Sequence, residues 1–255
     1  MKKLFITTMI IASGLSSQAQ QSAKPEDTEI WTPVPKVVTP AKIAGEAPSD
    51  AIILFGGKNL DEWVLTNDST SMRKWNVAGD IITVDKKAGD LQTKRKFTDF
   101  QLHIECKIPE DIAGSGQARG NSGIFLAALP WGAGGYELQV LDNFGNKTYV
   151  NGQAGSMYKQ SPPLVNACRK PGEWNYYDVV WTAPRFNEDG SVNAPARVTV
   201  LHNSILVQNN TILKGDTPYI GQPQYRKHGP APIKLQAHGD DSKPISYKNI
   251  WVREL

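Results

Sequence analysis

The stretch Gly135-Tyr136-Glu137-Leu138-Gln139-Val140-Leu141-Asp142-Asn143 decides how this chain is read. Its first half has period two. Tyr136, Leu138 and Val140 fall on one face of a strand, and Glu137 and Gln139 on the other. A carboxylate and an amide are costly to bury without partners. Their face is therefore either the floor of a polar groove or a solvated outer surface. Strict alternation puts Asp142 with the apolar residues. A bulge at Val140-Leu141 would return it to the polar face, and bulges often sit beside active sites.

The same design recurs on both sides of this stretch. Upstream, Phe100, Leu102, Ile104, Cys106 and Ile108 alternate with Gln101, His103, Glu105 and Lys107. Downstream, Ile233, Leu235 and Ala237 alternate with Lys234, Gln236 and His238. Shorter apolar runs bounded by Gly, Pro, Asn and Asp fill most of the rest. Trp75-Asn76-Val77 and Ile81–Val84 flank the turn Ala78-Gly79-Asp80, and His202-Asn203-Ser204 reads as a tight turn. No segment carries a convincing helical period. Many short strands with turn signals between them predict an all-β sandwich of two antiparallel sheets. Residues 144–175 have no clear period, and long irregular segments in compact domains are often functional.

The N-terminus reads differently. Met1-Lys2-Lys3 precedes an apolar run from Leu4 to about Ala12, then small and polar residues to Ala19. This is the pattern of a secretory signal peptide over residues 1–19, too short to span a bilayer, and it predicts a periplasmic or secreted protein. Residues 20–50 are rich in Pro, yet Ile30, Trp31, Val34, Val37 and Val38 are too apolar for a free tail. The expectation is an arm packed on the domain of residues 51–255, with Trp31 tucked in. No later segment is apolar enough to cross a membrane.

The leader takes Lys2 and Lys3 with it, leaving 26 basic residues against 25 acidic ones, net +1. That balance gives no case for a nucleic-acid partner. The chain has two cysteines, Cys106 and Cys168. An even count in an exported chain permits a disulfide. The parity of Cys106 with Leu102 and Ile104 equally suits a buried free thiol.

If the three polar-faced strands were neighbours, Glu105, Glu137, His103 and His238 would converge with several amides. That set suits acid–base chemistry, sugar binding or a metal. Trp131 and Tyr158, near Gly/Pro loops, suit stacking on a sugar ring as well as they suit a core.

The ordered motifs resemble one family. They begin with Leu54-Phe55-Gly56-Gly57-Lys58-Asn59-Leu60-Asp61-Glu62-Trp63 and Asn121-Ser122-Gly123-Ile124, followed by the Gly135–Asn143 stretch and Gly155-Ser156-Met157-Tyr158. Gly172-Glu173-Trp174-Asn175, Leu235-Gln236-Ala237-His238-Gly239 and the closing Asn249-Ile250-Trp251-Val252-Arg253-Glu254-Leu255 complete the series. From about residue 51 to its end, the chain is similar to the 3-keto-disaccharide hydrolases. The resemblance implies a concanavalin-like jelly roll and cleavage of glycosides already oxidised at C3, with a sugar 3-oxidoreductase as functional partner. It implies proton-transfer roles for Glu137 and His238, with Glu105 next. It implies substrate contacts from Asn121, Gln139 and Gln236, to which the reading of the residues adds Asp142, Tyr158 and Trp131. A divalent metal ion on Glu137 and His238 is compatible with the family pattern. Two other classes stay open. A retaining glucanase of the same fold would use Glu137-x-Gln139-x-x-Asp142, which departs from Glu-x-Asp-x-x-Glu at two positions. A non-catalytic sugar-binding module would need the aromatics and amides alone.

Overall fold

A computed structural model describes residues 23–67, 75–131 and 134–255. The expected leader and its cleavage site lie outside these residues. Labels run in chain order. The first eight strands are β1 (Ile52–Phe55), β2 (Trp63–Leu65), β3 (Asn76–Ala78), β4 (Ile81–Thr83), β5 (Leu91–Thr93), β6 (Phe100–Lys107), β7 (Ser122–Ala128) and β8 (Gly135–Val140). The others are β9 (Trp174–Thr182), β10 (Arg185–Phe186), β11 (Val192–Ala194), β12 (Arg197–His202), β13 (Ile205–Ile212), β14 (Lys234–Leu235) and β15 (Ser246–Glu254). Among the described residues no helix is long and apolar enough to cross a membrane.

The expected all-β sandwich is what forms. An eight-stranded back sheet runs β13-β12-β9-β6-β15-β4-β3, with β1 also paired to β15. A five-stranded front sheet runs β2-β5-β14-β7-β8. Every pairing in both sheets is antiparallel. The alternating sequences explain the layers. Phe100, Leu102 and Ile104 of β6 face inward, as do Ile124 and Leu126 of β7, Leu138 of β8 and Leu235 of β14, and all are fully buried. Tyr136 of the front sheet meets Trp181 of the back sheet with ring centroids 5.1 Å apart. The Ser122 and Tyr247 hydroxyls bridge the two layers at 2.7 Å.

Strand β8 lies at the edge of the front sheet and is nevertheless buried along its whole length. An edge strand exposes a row of unpaired backbone groups, and here the long irregular segment covers them. Gln139 N–H donates to Ser156 O, Gly155 N–H to Gln139 O, and Tyr158 N–H to Glu137 O, at 2.9–3.0 Å. Farther along, Glu137 N–H donates to Thr217 Oγ1 at 2.9 Å and Thr217 N–H to Gly135 O at 2.8 Å. The sequence expectation of a bulge at Val140-Leu141 is corrected. The strand ends at Val140, and the irregular register on this pair falls between Phe125 and Ala128 of β7.

Residues 23–37 belong to a separate unit. Within it the Trp31 indole N–H donates to Glu29 at 3.2 Å. The rest of the Pro-rich segment belongs with the sandwich. Gly45 O accepts from Asn249 Nδ2 and Trp251 Nε1, each at 2.9 Å, and Asp50 pairs with Arg253 at 2.8 Å. Both cysteines are free, with Cys106 in the core as its parity suggested. His202, read as a turn residue, ends β12 instead. It is buried and stacked on Tyr177 at 4.3 Å.

Candidate functional site

The outer face of the front sheet is built in rows. Val64, Gln92, Lys234, Phe125 and Glu137 lie opposite one another across its five strands and so share a face. The adjoining row, Leu65, Leu91, Leu235, Ile124 and Leu138, faces the core. The next outer row holds Gly123 opposite Gln139, with Gln236 N–H donating to Gly123 O at 2.9 Å. Beyond it stand Asn121 and His238, with Asn121 Nδ2 3.4 Å from His238 Nε2. A polar groove therefore runs along the strands, with Glu137 and Lys234 at its middle and His238 toward one end.

Glu137 is 5% exposed. Among the described residues none donates a hydrogen bond to its carboxylate. Burial pushes its carboxyl up to about 8, against the pull of Lys234 and with a further push from Asp90. Its acid group packs over Gly123, where a Cβ would lie 2.4 Å from Oε1. Only glycine leaves room for the carboxyl there. Lys234 stands 3.8 Å from the centroid of the Phe125 ring and pairs with Asp90 Oδ2 at 3.0 Å. Phe125 is fully buried but lies outside the hydrophobic core cluster, because it serves this outer face.

His238 forms a dyad. Its Nδ1 lies 2.8 Å from Asp240 Oδ2, and Asp240 is anchored by Lys86 Nζ at 3.1 Å and by Ser242 N–H at 2.8 Å. Burial raises the Asp240 carboxyl, but the hydrogen bonds from Ser242, His238 and Lys86 outweigh it and hold it below the usual carboxylate range. An ionised Asp240 at 2.8 Å favours the His238 proton on Nδ1 over the longer approach of the Asp240 N–H at 3.3 Å, and this leaves the Nε2 lone pair facing Asn121 Nδ2 at 3.4 Å. The His238 side chain is 34% exposed, enough for a ligand to reach it. Gln139 Nε2 donates to Asn121 Oδ1 at 2.8 Å, and Asn121 Nδ2 donates to Gln117 O at 2.8 Å. These two amides hold each other beside the imidazole. Gln236 Oε1 is buried with no partner among the described residues, an acceptor left for a ligand donor.

Glu137, Gln139, Asn121, Gln236 and His238 thus come together as the sequence anticipated. Tyr158 joins them from the segment that covers the edge of β8, its hydroxyl 2.5 Å from that of Tyr149. Trp131 lines a cavity at the Lys234 end of the groove. Two expectations are corrected. Glu105 lies on β6 of the back sheet, on the opposite side of the sandwich, so it shares no groove with Glu137. Asp142 has both oxygens engaged, Oδ2 by Arg119 Nε at 2.6 Å and Oδ1 by Phe144 N–H at 2.9 Å. It holds the loops at the end of β8 and presents no free carboxylate, which removes the second acid that a retaining glucanase needs. Asp240 and Lys234 were not singled out from sequence. The i, i+2 spacing of His238 and Asp240, and the shared parity of Lys234 and Gln236, were the available signals.

Among the described residues no three or more His, Cys, Asp or Glu side chains are placed to hold a metal ion. Glu137 and His238 alone give two protein donors, fewer than the three or more with which proteins hold a catalytic ion.

Comparison with known proteins agrees with this architecture. A crystal structure from Parabacteroides distasonis, provisionally assigned as a glycosyl hydrolase, is 51% identical. It superposes with a TM-score of 0.84 over 96% of this chain and 100% of that one. A second P. distasonis structure, with the same provisional assignment, shares the fold at 18% identity and TM-score 0.58, over 80% of this chain and 94% of its own. A 3-keto-disaccharide hydrolase from Bacteroides thetaiotaomicron is 27% identical over 192 residues, covering 63% of this chain. The match spans 62% of that relative's length. The family model described as the 3-keto-alpha-glucoside-1,2-lyase-like domain matches residues 50–253, nearly the whole sandwich, and the chain belongs to that family.

Proposed function

We propose that this is a carbohydrate-active enzyme that cleaves 3-keto-glycosides by elimination. The names carried by its family and by the Bacteroides relative support the substrate class. The observation that carries the chemistry is the pairing, on one face of the front sheet, of a buried carboxyl raised toward neutrality with a carboxylate-oriented histidine.

A ketone at C3 acidifies the proton on C2. His238 Nε2 takes that proton, and the electron pair becomes an enolate. Asn121 Nδ2 keeps one N–H on Gln117 O at 2.8 Å and turns the other, held only at 3.4 Å, to the enolate oxygen. The enolate then closes the C1–C2 double bond as the C1–O bond breaks. Glu137, protonated at neutral pH, gives its proton to the departing oxygen. Water adds across the enone, with hydrogen returning to C2 and hydroxide to C1, so the products are the 3-keto sugar and the free aglycone. Gln236 Oε1 accepts from a sugar hydroxyl. On this reading the ketone is made beforehand by a sugar 3-oxidoreductase. The N-terminal leader would place the reaction in the periplasm or outside the cell.

The test is side-by-side incubation of 3-keto and unmodified glucosides in deuterium oxide. Cleavage confined to the oxidised substrate, with solvent deuterium at C2 of the product, is the expected result. Efficient turnover of an unoxidised glucoside, or an unexchanged C2 hydrogen, would overturn it.

A further inference from the structure

Past Lys234, away from His238, the outer face of the front sheet opens into a cavity of about 460 Å³. We propose that this cavity is the aglycone subsite and that it selects an aromatic aglycone. The inference rests on the elimination reading above, and it adds the class of leaving group.

The strand registers set the order. Along β7 and the chain after it, Asn121 lies beside His238, Gly123 beneath the Glu137 carboxyl and Phe125 beneath Lys234, and then come Ala128, Leu129, Pro130 and Trp131. The partner strand agrees. His238, Gln236 and Lys234 follow one another toward Pro232 and Pro230, which line the cavity. The base therefore stands at one end of the groove, the acid and Lys234 at its middle, and the cavity at the other end. A sugar ring with C2 toward His238 and its glycosidic oxygen at Glu137 sends whatever is attached to that oxygen over Lys234 and into the cavity. Two residues of strand separate Asn121, beside the base, from Gly123, beneath the acid, about 7 Å at roughly 3.3 Å each. That spacing suits C2 and the glycosidic oxygen of one ring, with the attached group beyond, toward Phe125 and Lys234.

The chemistry of the walls names the group. Leu129, Pro130, Trp131 and Pro232 make rigid apolar sides, and Thr66, Gln92, Lys96, Lys234 and His228 supply the polar lining. No carboxylate lines the cavity, and Gln92 is its one amide. Lys96 and Lys234 only donate, and both His228 nitrogens are engaged, by the Tyr136 hydroxyl and Gly229 O, so the hydroxyl protons of a second sugar would find few acceptors, and each unmet one costs binding. A flat aromatic ring fits the apolar sides and leaves its phenolic oxygen on the Glu137 side, where the proton is delivered.

The experiment compares phenyl and methyl 3-keto-glucosides on the wild type and on Trp131→Ala and Trp131→Phe. Trp131→Ala should raise KM for the phenyl substrate about tenfold and change the methyl substrate by less than about twofold, while Trp131→Phe retains most of the preference. Comparing each substrate between enzymes cancels the intrinsic reactivity of the leaving group. Equal losses on both substrates, or no loss on either, would overturn the proposal. Calorimetry with unoxidised phenyl and methyl glucosides separates it from the reaction it rests on. Tighter phenyl binding by the wild type, lost in Trp131→Ala, keeps the aromatic subsite even if no 3-keto substrate is turned over. A wild type that binds both alike overturns the subsite whatever its catalytic activity.

Discussion

The two outer faces of the sandwich carry similar residues and treat them oppositely. The front sheet has Glu137, His238 and Asp240, and the back sheet has Glu105, His103 and Asp178. In both, a histidine Nδ1 sits against an aspartate, at 2.8 Å for His238–Asp240 and 2.7 Å for His103–Asp178. The histidine of the front sheet is open to the groove. That of the back sheet is 1% exposed and stacked on Trp251 with ring centroids 5.4 Å apart. Gly45, at φ +87°, brings the chain so close that a Cβ would lie 3.3 Å from the His103 ring. The carboxylates differ in the same way. Glu105 accepts from Asn249 at 2.9 Å and lies 3.5 Å from Lys248 Nζ, whereas no described side chain donates to Glu137. A carboxylate with partners and a histidine with a lid make a clasp. The same groups with Nε2 only loosely engaged and an open approach suit the reactive site proposed for the front sheet.

The sharpest way to break this comparison is to remove the open pair. Glu137→Gln and His238→Ala should each lower kcat by about 10²–10⁴-fold on a 3-keto-glucoside while the far-ultraviolet circular dichroism is kept. Retained activity in either would mean that the front face is not the reacting one. In the wild type the rate should fall as pH rises through about 8, where Glu137 loses the proton it donates, and Glu137→Gln should lack that limb. Gly123→Ala tests the placement of the carboxyl without removing it. The new Cβ would lie 2.4 Å from Glu137 Oε1, so the acid must move, and kcat should drop by about 10²-fold.

Stability sharpens the contrast. The Glu137 carboxyl is raised from 4.5 to about 8 in the folded chain. Between those values the unfolded state has released a proton that the folded state still holds, so stability is fullest below the lower value and declines as pH rises toward the upper one. Glu137→Gln should therefore be more stable than the wild type near pH 8 in denaturant melts, by a margin on the order of a few kcal/mol that shrinks toward pH 4.5. A destabilised Glu137→Gln at pH 8 would show that the buried carboxyl is not a cost to the fold. The clasp should behave in reverse. His103→Ala should lose about 2–4 kcal/mol in denaturant melts, from the vacated space against Trp251 and the orphaned carboxylates, with kcat unchanged. A large loss of kcat there would put catalytic work on the back sheet.

The sequence by itself determined the layers. Period-two runs such as Phe100–Ile108 and Tyr136–Val140 leave each strand one apolar face to hide, and two sheets facing each other is how such faces are hidden. It also determined which of Glu137, Gln139, Gln236 and His238 could share a surface, because parity fixes a face wherever a strand is regular. Parity does not say which strands are neighbours. Only the tertiary structure put β6 in the other sheet, turning Glu105 from a candidate acid into part of a clasp, because strand order is set by long-range pairing that no local pattern encodes. Only the fold committed Asp142 to Arg119, since that contact crosses two loops. And only the fold left Glu137 buried over a glycine, with no donor among the described residues. The pKa of a carboxyl depends on what surrounds it in space, and Lys234, Asp90 and Gly123 reach it from other parts of the chain.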